Sequence, residues 1–89
     1  MNNYYKIWRG YKIYISDKPI KKYYAIVDNK KVYFGQMPYE HYYDILGYYQ
    51  KKNHLDKLRR SNYYARHGKT AEIGTAKYFS HNILWPMHL

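Results

Sequence analysis

Polar and apolar residues alternate in two short segments near the beginning of the chain, Lys6–Arg9 and Tyr11–Ile15, which lie on either side of Gly10. A period of two is typical of a β-strand with one buried face, and glycine permits a bend between two such strands. The sequence Asp17-Lys18-Pro19 then interrupts the alternation. The pattern therefore predicts two short strands, or one bent strand, before this interruption.

Two runs of β-branched and aromatic residues follow, Tyr23–Val27 and Lys31–Phe34, and they flank Asp28-Asn29-Lys30. Aspartate and asparagine tolerate the left-handed backbone that a tight turn requires, so these runs predict a β-hairpin over residues 23–34. The predicted pairing puts four side chains on one face of the hairpin: Tyr24, Ile26, Val32 and Phe34.

A helical period replaces the alternation in the second half of the chain. Pro38 is suited to the first turn of a helix, and Glu40 would lie near the positive end of the helix dipole. Apolar rings and one leucine then recur at helical spacing, which predicts a first helix containing Tyr39, Tyr42, Tyr43, Leu46 and Tyr49. Gly47 lies inside this pattern and weakens it.

A second helix is predicted between Asn53, which can cap its first turn together with Asp56, and Gly68, which is typical of a helix end. Four residues at helical spacing form its predicted inner seam: Leu55, Leu58, Asn62 and Ala65. An adjoining face, within about 60° of arc, carries the residues Lys52, Arg59, Tyr63 and Arg66. This second helix is therefore expected to bury a narrow seam and to expose a cationic stripe.

A last helix is predicted to begin at Gly74 or Thr75, after the polar linker of residues 68–74, and to stop at Pro86. We therefore expect a single α+β domain over residues 1–89, strand-rich over 1–35 and helical over 38–85. In this fold a small N-terminal antiparallel sheet packs against two or three C-terminal helices. Ten residues are expected in the core: Ile13, Ile26, Val32, Phe34, Leu46, Leu55, Leu58, Phe79, Leu84 and Trp85.

Composition limits the stability and the setting of this domain. A chain of 89 residues buries only roughly 60–65% of the surface of its unfolded state, and the absence of cysteine excludes disulfides and cysteine-based metal sites. Fifteen tyrosines reflect either an AT-rich coding sequence or a core built from half-buried rings. With no 18-residue apolar run and no signal-peptide pattern, we expect no membrane association, and a protein that is soluble and intracellular or is made inside a cell and packaged there.

Positive charge dominates the chain and is concentrated in residues 51–70. The net charge is +10, and this segment holds seven Lys or Arg residues against Asp56 alone. A field of this strength favours anionic partners, although a solvated lysine-rich surface is the simpler alternative. We expect nucleic acid as the partner, DNA in preference to RNA, with low sequence specificity. The cations of this segment are predicted to contact phosphates, and its Tyr63 is predicted to stack on a base. The predicted binding residues are Lys51, Lys52, Arg59, Arg60, Tyr63, Arg66 and Lys69.

Catalysis is not indicated by the spacing of the reactive side chains. His54, Asn62 and His67 occur in the order of a histidine-metal nuclease, but thirteen residues of helix would separate the two histidines by about 20 Å. Glu40, His41 and Asp44 could hold a divalent ion, whereas a solvated helix face explains them more simply. No glycine-rich phosphate loop, Ser-His-Asp order or cysteine nucleophile is present. We expect no enzyme activity, no cofactor, no metal and no small-molecule substrate.

Three motifs occur in order between Lys18 and Trp85. The first is K-P-x-K-K-Y followed by V-x-F-G, the second is H-x-D-x-x-R-x-x-x-Y-x-x-R-H from His54 to His67, and the third is T-A-x-x-x-S-x-x-I-L-W. Together they resemble a family of small, uncharacterised basic proteins encoded by nucleocytoplasmic large (giant) DNA viruses and by some large phages. About ten residues around Ile45–Asn53 are extra relative to that family's pattern.

The resemblance implies a viral setting, with the protein in a virion or in the host cell interior, and it implies no particular chemistry. It leaves a second hypothesis open, in which the protein is a minor capsid or virion protein anchored between larger subunits by Tyr, Trp and Arg contacts. Those residue types dominate protein interfaces. Other virion proteins are therefore the alternative partners.

Overall fold

The computed structural model describes residues 5–89, and it contains one antiparallel sheet followed by short helices. Four strands form the sheet in the order β1-β2-β3-β4: β1 (Tyr5–Trp8), β2 (Tyr11–Ile15), β3 (Lys21–Val27) and β4 (Lys30–Gln36). The helices are α1 (Lys57–His67) and α2 (Ala76–Phe79), with a single 3₁₀ turn, Gln50–Lys52, before α1. This arrangement confirms the predicted α+β class; residues 1–4 of the predicted strand-rich segment lie outside the described residues.

Two-residue turns connect two of the three antiparallel strand pairs, whereas residues 16–20 connect β2 to β3. Arg9 and Gly10 join β1 to β2, and Asp28 and Asn29 join β3 to β4, and all four residues have positive φ. Positive φ at both central residues is the mark of a type I′ turn, whose twist matches that of the strands. The turn predicted over residues 28–30 is therefore one residue shorter, because Lys30 already belongs to β4.

The face of the β3–β4 hairpin that packs on the core differs from the predicted one. Tyr23 pairs with Phe34 and Ala25 pairs with Val32 on the core side, so Tyr24 and Ile26 lie on the opposite face from Val32 and Phe34. The prediction that these four share a face is wrong. A two-residue turn pairs odd-numbered residues of β3 with even-numbered residues of β4, and a shift of one residue moves a whole set of side chains to the other face.

Three tyrosines form a ladder on the face of the sheet that points away from the core. Tyr14, Tyr24 and Tyr33 are cross-strand neighbours on β2, β3 and β4, with ring centroids 5.1 and 5.4 Å apart. Such pairs stabilise a sheet through ring contacts between adjacent strands.

The helix predicted from Pro38 onward is absent. Residues 38–49 are irregular instead, with turns at residues 45–46 and 48–49. The buried carboxylate of Asp44 accepts hydrogen bonds from the backbone N–H groups of Leu46 and Tyr49 at 2.9 and 2.8 Å. A side chain that binds nearby backbone donors in this way competes with the helical hydrogen bonds of the main chain. Leu46 and Tyr42 are nevertheless buried, so the segment still supplies apolar contacts to the body of the protein.

Helix α1 is capped by Asp56 and not by Asn53. The Asp56 carboxylate accepts from the N–H groups of Leu58 and Arg59 at 2.9 and 3.2 Å, and Gly68 ends the helix as predicted. Leu55 precedes the cap with a positive φ of 56°, a left-handed backbone that keeps it out of the helix. The helix therefore begins several residues later than the sequence pattern indicated.

The buried face of α1 is also different from the predicted seam. Leu55 and Leu58 are 58% and 69% exposed, whereas Tyr63 and Tyr64 are 6% and 7% exposed. The prediction that both leucines belong to the core is wrong. The two tyrosine rings bury more apolar surface than leucines do, and their hydroxyls find partners inside the protein, so the aromatic pair determines which face turns inward.

The C-terminal segment closes the core against the sheet. Thr75 caps α2 with a 3.2 Å hydrogen bond from Tyr78 N–H, and Ser80–Leu84 continues the helix as a π-helical turn. Eight buried residues form the core cluster: Ile13, Tyr23, Ala25, Phe34, Leu46, Phe79, Ile83 and Leu84. Five of the predicted core residues are among them, while Ile26, Val32 and Trp85 are half-buried. None of the helices within residues 5–89 is long and apolar enough to cross a membrane.

Candidate functional site

A cleft of about 730 Å³ lies between the end of β4, helix α1 and helix α2. We call it the cationic cleft because five of its described lining residues are Lys or Arg: Lys21, Lys22, Arg59, Arg66 and Lys77. Among the described residues that line it, Glu40 is the only acid, and its carboxylate pairs with Arg59 at 2.9 Å. The hydrogen bond from Arg59 lowers the pKa of Glu40, so this acid stays ionised and offsets one of the five cations.

Gly35 allows the parts of this cleft to approach each other closely. Its φ is +78°, and a Cβ atom at this position would lie 2.7 Å from Leu84 Cδ1 and 3.0 Å from Lys22 Cβ. A side chain here would therefore collide with the C-terminal segment and with β3 at once. The glycine that ends the V-x-F-G motif thus sets the distance between the sheet and the C-terminal wall of the cleft.

Tyr63 forms part of the wall and is not available for base stacking. Its ring stacks on Trp85 with centroids 4.3 Å apart and planes inclined by 6°, and only 6% of the residue is exposed. Its hydroxyl donates to His81 Nδ1 at 2.9 Å, since His81 Nε2 donates to the carbonyl oxygen of Gly68. The prediction that Tyr63 faces outward beside the cations is wrong, because burial of the aromatic pair turned α1 the other way.

The other predicted contact residues fall into three groups. Arg59 and Arg66 line the cationic cleft. Arg60 and Lys69 line a smaller depression of about 320 Å³ on the other side of α1, together with Lys57. The remaining two, Lys51 and Lys52, lie in the 3₁₀ turn and line neither depression. The structure therefore separates the predicted stripe into two cationic surfaces and leaves two lysines apart from both.

Arg60 is partly committed to the fold itself. Its guanidinium lies 4.0 Å from the centroid of the Tyr42 ring and donates to the carbonyl oxygen of Pro86 at 2.7 Å. These contacts fix the segment around Tyr42 and the C-terminal residues against α1. Arg60 therefore has fewer donors left for a ligand than Arg66 has.

Three lysines of the cleft were missed by the reasoning from sequence. Lys21 and Lys22 belong to the K-P-x-K-K-Y motif, which was a signal of their importance, but nothing in the sequence brought β3 next to the second helix. Lys77 carried no signal at all; its ammonium donates to the carbonyl oxygen of His67 at 2.9 Å and so bridges the end of α1 to α2.

A buried polar network lies beneath the cleft and begins at Lys22. This lysine is 1% exposed, and its ammonium donates to the carbonyl oxygen of Tyr39 at 2.6 Å and to His41 Nδ1 at 2.9 Å. Burial lowers the pKa of Lys22 to about 8. The lysine is thus mostly protonated at neutral pH and acts as a structural donor rather than as a free surface charge.

His41 and Asn53 extend this network towards the start of α1. His41 is fully buried, and burial together with the neighbouring Lys22 charge lowers its pKa to about 4. The neutral ring carries its proton on Nε2, which donates to Asn53 Oδ1 at 2.7 Å. The same oxygen accepts the backbone N–H of Asp44 at 2.8 Å. Asn53 therefore joins the segment after β4 to the residues that precede α1, and does not cap the helix.

Asp44 completes the network and is fully used by the protein. Its carboxylate accepts the Tyr23 hydroxyl at 2.5 Å in addition to the two backbone donors already described. A divalent ion on Glu40, His41 and Asp44 is not supported, because His41 and Asp44 are buried and bonded while Glu40 points to Arg59. Within residues 5–89 no three His, Cys, Asp or Glu side chains are grouped as metal ligands.

The tyrosine ladder on the outer face of the sheet is a weaker candidate surface. Lys18 lies 4.3 Å from the centroid of the Tyr33 ring and Lys31 lies 4.8 Å from that of Tyr24. Asp17 pairs with Lys31 and accepts the Tyr33 hydroxyl at 2.7 Å. A base stacking there would have to displace ammonium groups already bound to these rings.

Comparison of the chain with protein-family models, with curated proteins and with solved structures finds no match. A function for this protein is therefore inferred from the geometry and charge of the cationic cleft and of α1.

Proposed function

We propose that the protein binds nucleic acid through the cationic cleft, without catalysis and with low sequence specificity. The observation that carries this proposal is the convergence of accessible cations from β3, α1 and α2, with Glu40 as the one acid among the described lining residues. These cations are Lys21, Arg59, Arg66 and Lys77, since the fifth, Lys22, is buried. Cations this far apart in the sequence come together only through folding. Because like charges repel, such a cluster is favourable chiefly when an anionic ligand neutralises it.

Lys21 and Arg66 are the best placed to contact phosphates. Among residues 5–89, neither forms an ion pair, whereas Arg59 is paired with Glu40 and Lys22 is buried. A guanidinium can bind a phosphate through two parallel hydrogen bonds, and displacement of counterions from the nucleic acid adds affinity. Contacts of this kind carry no sequence information, which is why we propose weak specificity.

A viral setting, in a virion or in the host cell interior, remains our proposal on the strength of the three sequence motifs alone. The second candidate function, a minor virion protein, is favoured by exposed apolar side chains such as Leu55, Leu58 and Tyr48. Tyr63 is not available as an aromatic anchor, since its ring is buried and stacked on Trp85. Tyr39, which is 66% exposed, remains available for such a contact.

A salt series of duplex binding tests the proposed function. Fluorescence anisotropy with a labelled random-sequence DNA duplex should show binding at about 50 mM salt and a steep linear fall of log K with log salt. Lys21→Ala and Arg66→Ala should each weaken binding and reduce the magnitude of the slope by about 1. Lys30→Ala removes the same charge from an exposed position outside the cleft and serves as the matched control.

Two results would contradict the proposal. Absence of binding at about 50 mM salt would remove nucleic acid as the ligand. If log K falls with log salt at the same slope for Lys30→Ala as for Arg66→Ala, the cleft is not the binding surface. For the second candidate function, mass spectrometry of purified virions is the test, and absence of the protein from the particles would exclude it.

A further inference from the structure

Helix α1 presents a ridge of four side chains to solvent, in the very place where an inner seam was expected. The ridge consists of Leu58, Ser61, Asn62 and Ala65, which are all exposed, with Leu58 at 69%. Single exposed apolar residues are common on protein surfaces, so Leu58 alone does not mark a binding site. What distinguishes the ridge is the charge on its two flanks.

Cations border the ridge on both sides. Arg59 and Arg66 lie along one flank, where they open into the cationic cleft, and Lys57 lies along the other flank. On that second flank Lys57, Arg60 and Lys69 line the depression of about 320 Å³, and no acid is among its described lining residues. Three ridge residues form the inner edges of these depressions, Asn62 for the cationic cleft and Ser61 and Ala65 for the second depression, so the ridge has a positively charged surface on each side.

This cross-section matches the major groove of duplex DNA. The groove is about 12 Å wide and admits an α-helix of about 10–12 Å diameter, and a phosphate backbone runs along each of its edges. A helix inserted ridge-first would bring one backbone to the cationic cleft and the other to the second depression. A single strand would occupy only one of the two depressions, and the deep, narrow major groove of an RNA duplex does not admit a helix.

The chemistry of the ridge also suits a groove floor. Ser61 and Ala65 are short, so they let the helix axis approach the base edges, and Leu58 offers apolar contact to a thymine methyl group. Among the four ridge residues, Asn62 alone has the amide that can bind adenine through two hydrogen bonds. One side chain of this kind gives a preference at about one base pair, which agrees with low overall sequence specificity.

We propose that α1 enters the major groove of duplex DNA ridge-first, with the two phosphate backbones lying in the cationic cleft and in the second depression. This inference rests on the proposed function and specifies the form of its ligand. A protein partner covering Leu58 and Ala65 is the competing occupant. Charge complementarity on both flanks favours DNA, because a protein partner for an apolar ridge does not require cations on each side.

Glutamate substitutions on the ridge test this proposal. Ala65→Glu puts a negative charge in the path of the groove, and Ile73→Glu adds the same charge at a loop position that is 73% exposed and lines neither depression. Affinity is measured for a DNA duplex, for one of its strands alone and for an RNA duplex of the same sequence. We expect wild-type protein to prefer the DNA duplex, and Ala65→Glu to lose about tenfold or more in duplex affinity. Ile73→Glu should lose much less.

Ser61→Glu is a second ridge variant, to be used beside Ala65→Glu with circular dichroism as the check on folding. The proposal is overturned if folded ridge variants bind duplex DNA as Ile73→Glu does, or if the single strand or RNA duplex binds as tightly as the DNA duplex. In either case binding by the cationic cleft would still stand. If none of the three nucleic acids binds, both this proposal and the proposed function fail.

Discussion

His41 is a fully buried histidine in a protein of net charge +10, and its hydrogen bonds require the neutral form of the imidazole ring. Protonation of Nδ1 would remove the acceptor for Lys22 and would put two positive charges 2.9 Å apart. The network that holds β3, the segment after β4 and the approach to α1 together therefore depends on this ring staying neutral.

Acid should consequently begin to destabilise the protein at a higher pH than the one at which carboxylates start to be protonated. The pKa of His41 is about 4 in the folded state against 6.5 for an ordinary histidine, so the unfolded chain binds more protons between these values. Stability therefore falls as the pH drops from about 6.5 to 4, by up to about 3 kcal/mol from this residue. Urea unfolding at a series of pH values measures the loss.

A pair of variants assigns this loss to His41. His41→Gln keeps one acceptor and one donor but does not titrate, so its stability should depend less on pH in this window. The dependence that remains comes from His54 and His81, because burial lowers the pKa of each. His88→Gln makes the same substitution at an exposed position and serves as the matched control. If His41→Gln retains the full wild-type dependence, the buried neutral histidine is not its cause.

Alanine substitutions at two glycines distinguish the cost of a strained backbone from the cost of a steric collision. Gly10 and Gly35 have similar φ values of +84° and +78°, but a Cβ at Gly10 meets nothing within 4 Å. Gly10→Ala should cost about 1–2 kcal/mol for the left-handed backbone alone. Gly35→Ala should cost about 1–3 kcal/mol more, because its Cβ would also collide with Leu84. If urea unfolding shows the same loss of unfolding free energy for both variants, the residues around Gly35 move aside without cost.

Helix α1 shows where reasoning from the sequence succeeded and where it did not. The spacing of its residues and the glycine at its end predicted a helix, but not which face is buried. A seam of Leu58, Asn62 and Ala65 and a pair of adjacent tyrosines are both consistent with a helix. The choice depends on partners for the hydroxyls of Tyr63 and Tyr64, which come from residues 80–85 and are invisible to a local pattern.

Leucine substitutions test the orientation of α1 directly. Leu58→Ala should change the free energy of unfolding by no more than about 0.5 kcal/mol, because the side chain is exposed. Leu84→Ala, by comparison, should cost about 2–5 kcal/mol, because that side chain is 1% exposed in the core. A large loss for Leu58→Ala would mean that the predicted inner seam is buried after all.

Across the entire fold, the sequence predicted the antiparallel sheet and the position of the hairpin over residues 23–34, because their signals are local. Turn residues at 28–29 and alternating apolar positions are read within a few residues of each other. The cationic cleft had no such signal, since Lys21, Arg66 and Lys77 come together only after the four-stranded sheet and the helices have packed against each other. The basic stretch of residues 51–70 indicated an anionic partner, but not the two surfaces into which folding divides its charges.

We propose that α1 and its flanking cations bind nucleic acid. The most direct test is to identify by NMR which residues of the protein the nucleic acid contacts. Isotope-labelled protein is titrated with a DNA duplex of about 16 base pairs, roughly one and a half turns, while its backbone amide signals are recorded by NMR. We predict shifts along α1, at Lys21 and Gly35 and around Lys77, on both flanks of the ridge. Shifts confined to Tyr14, Tyr24 and Tyr33 on the outer face of the sheet, or no shifts at low salt, would contradict this mode of binding.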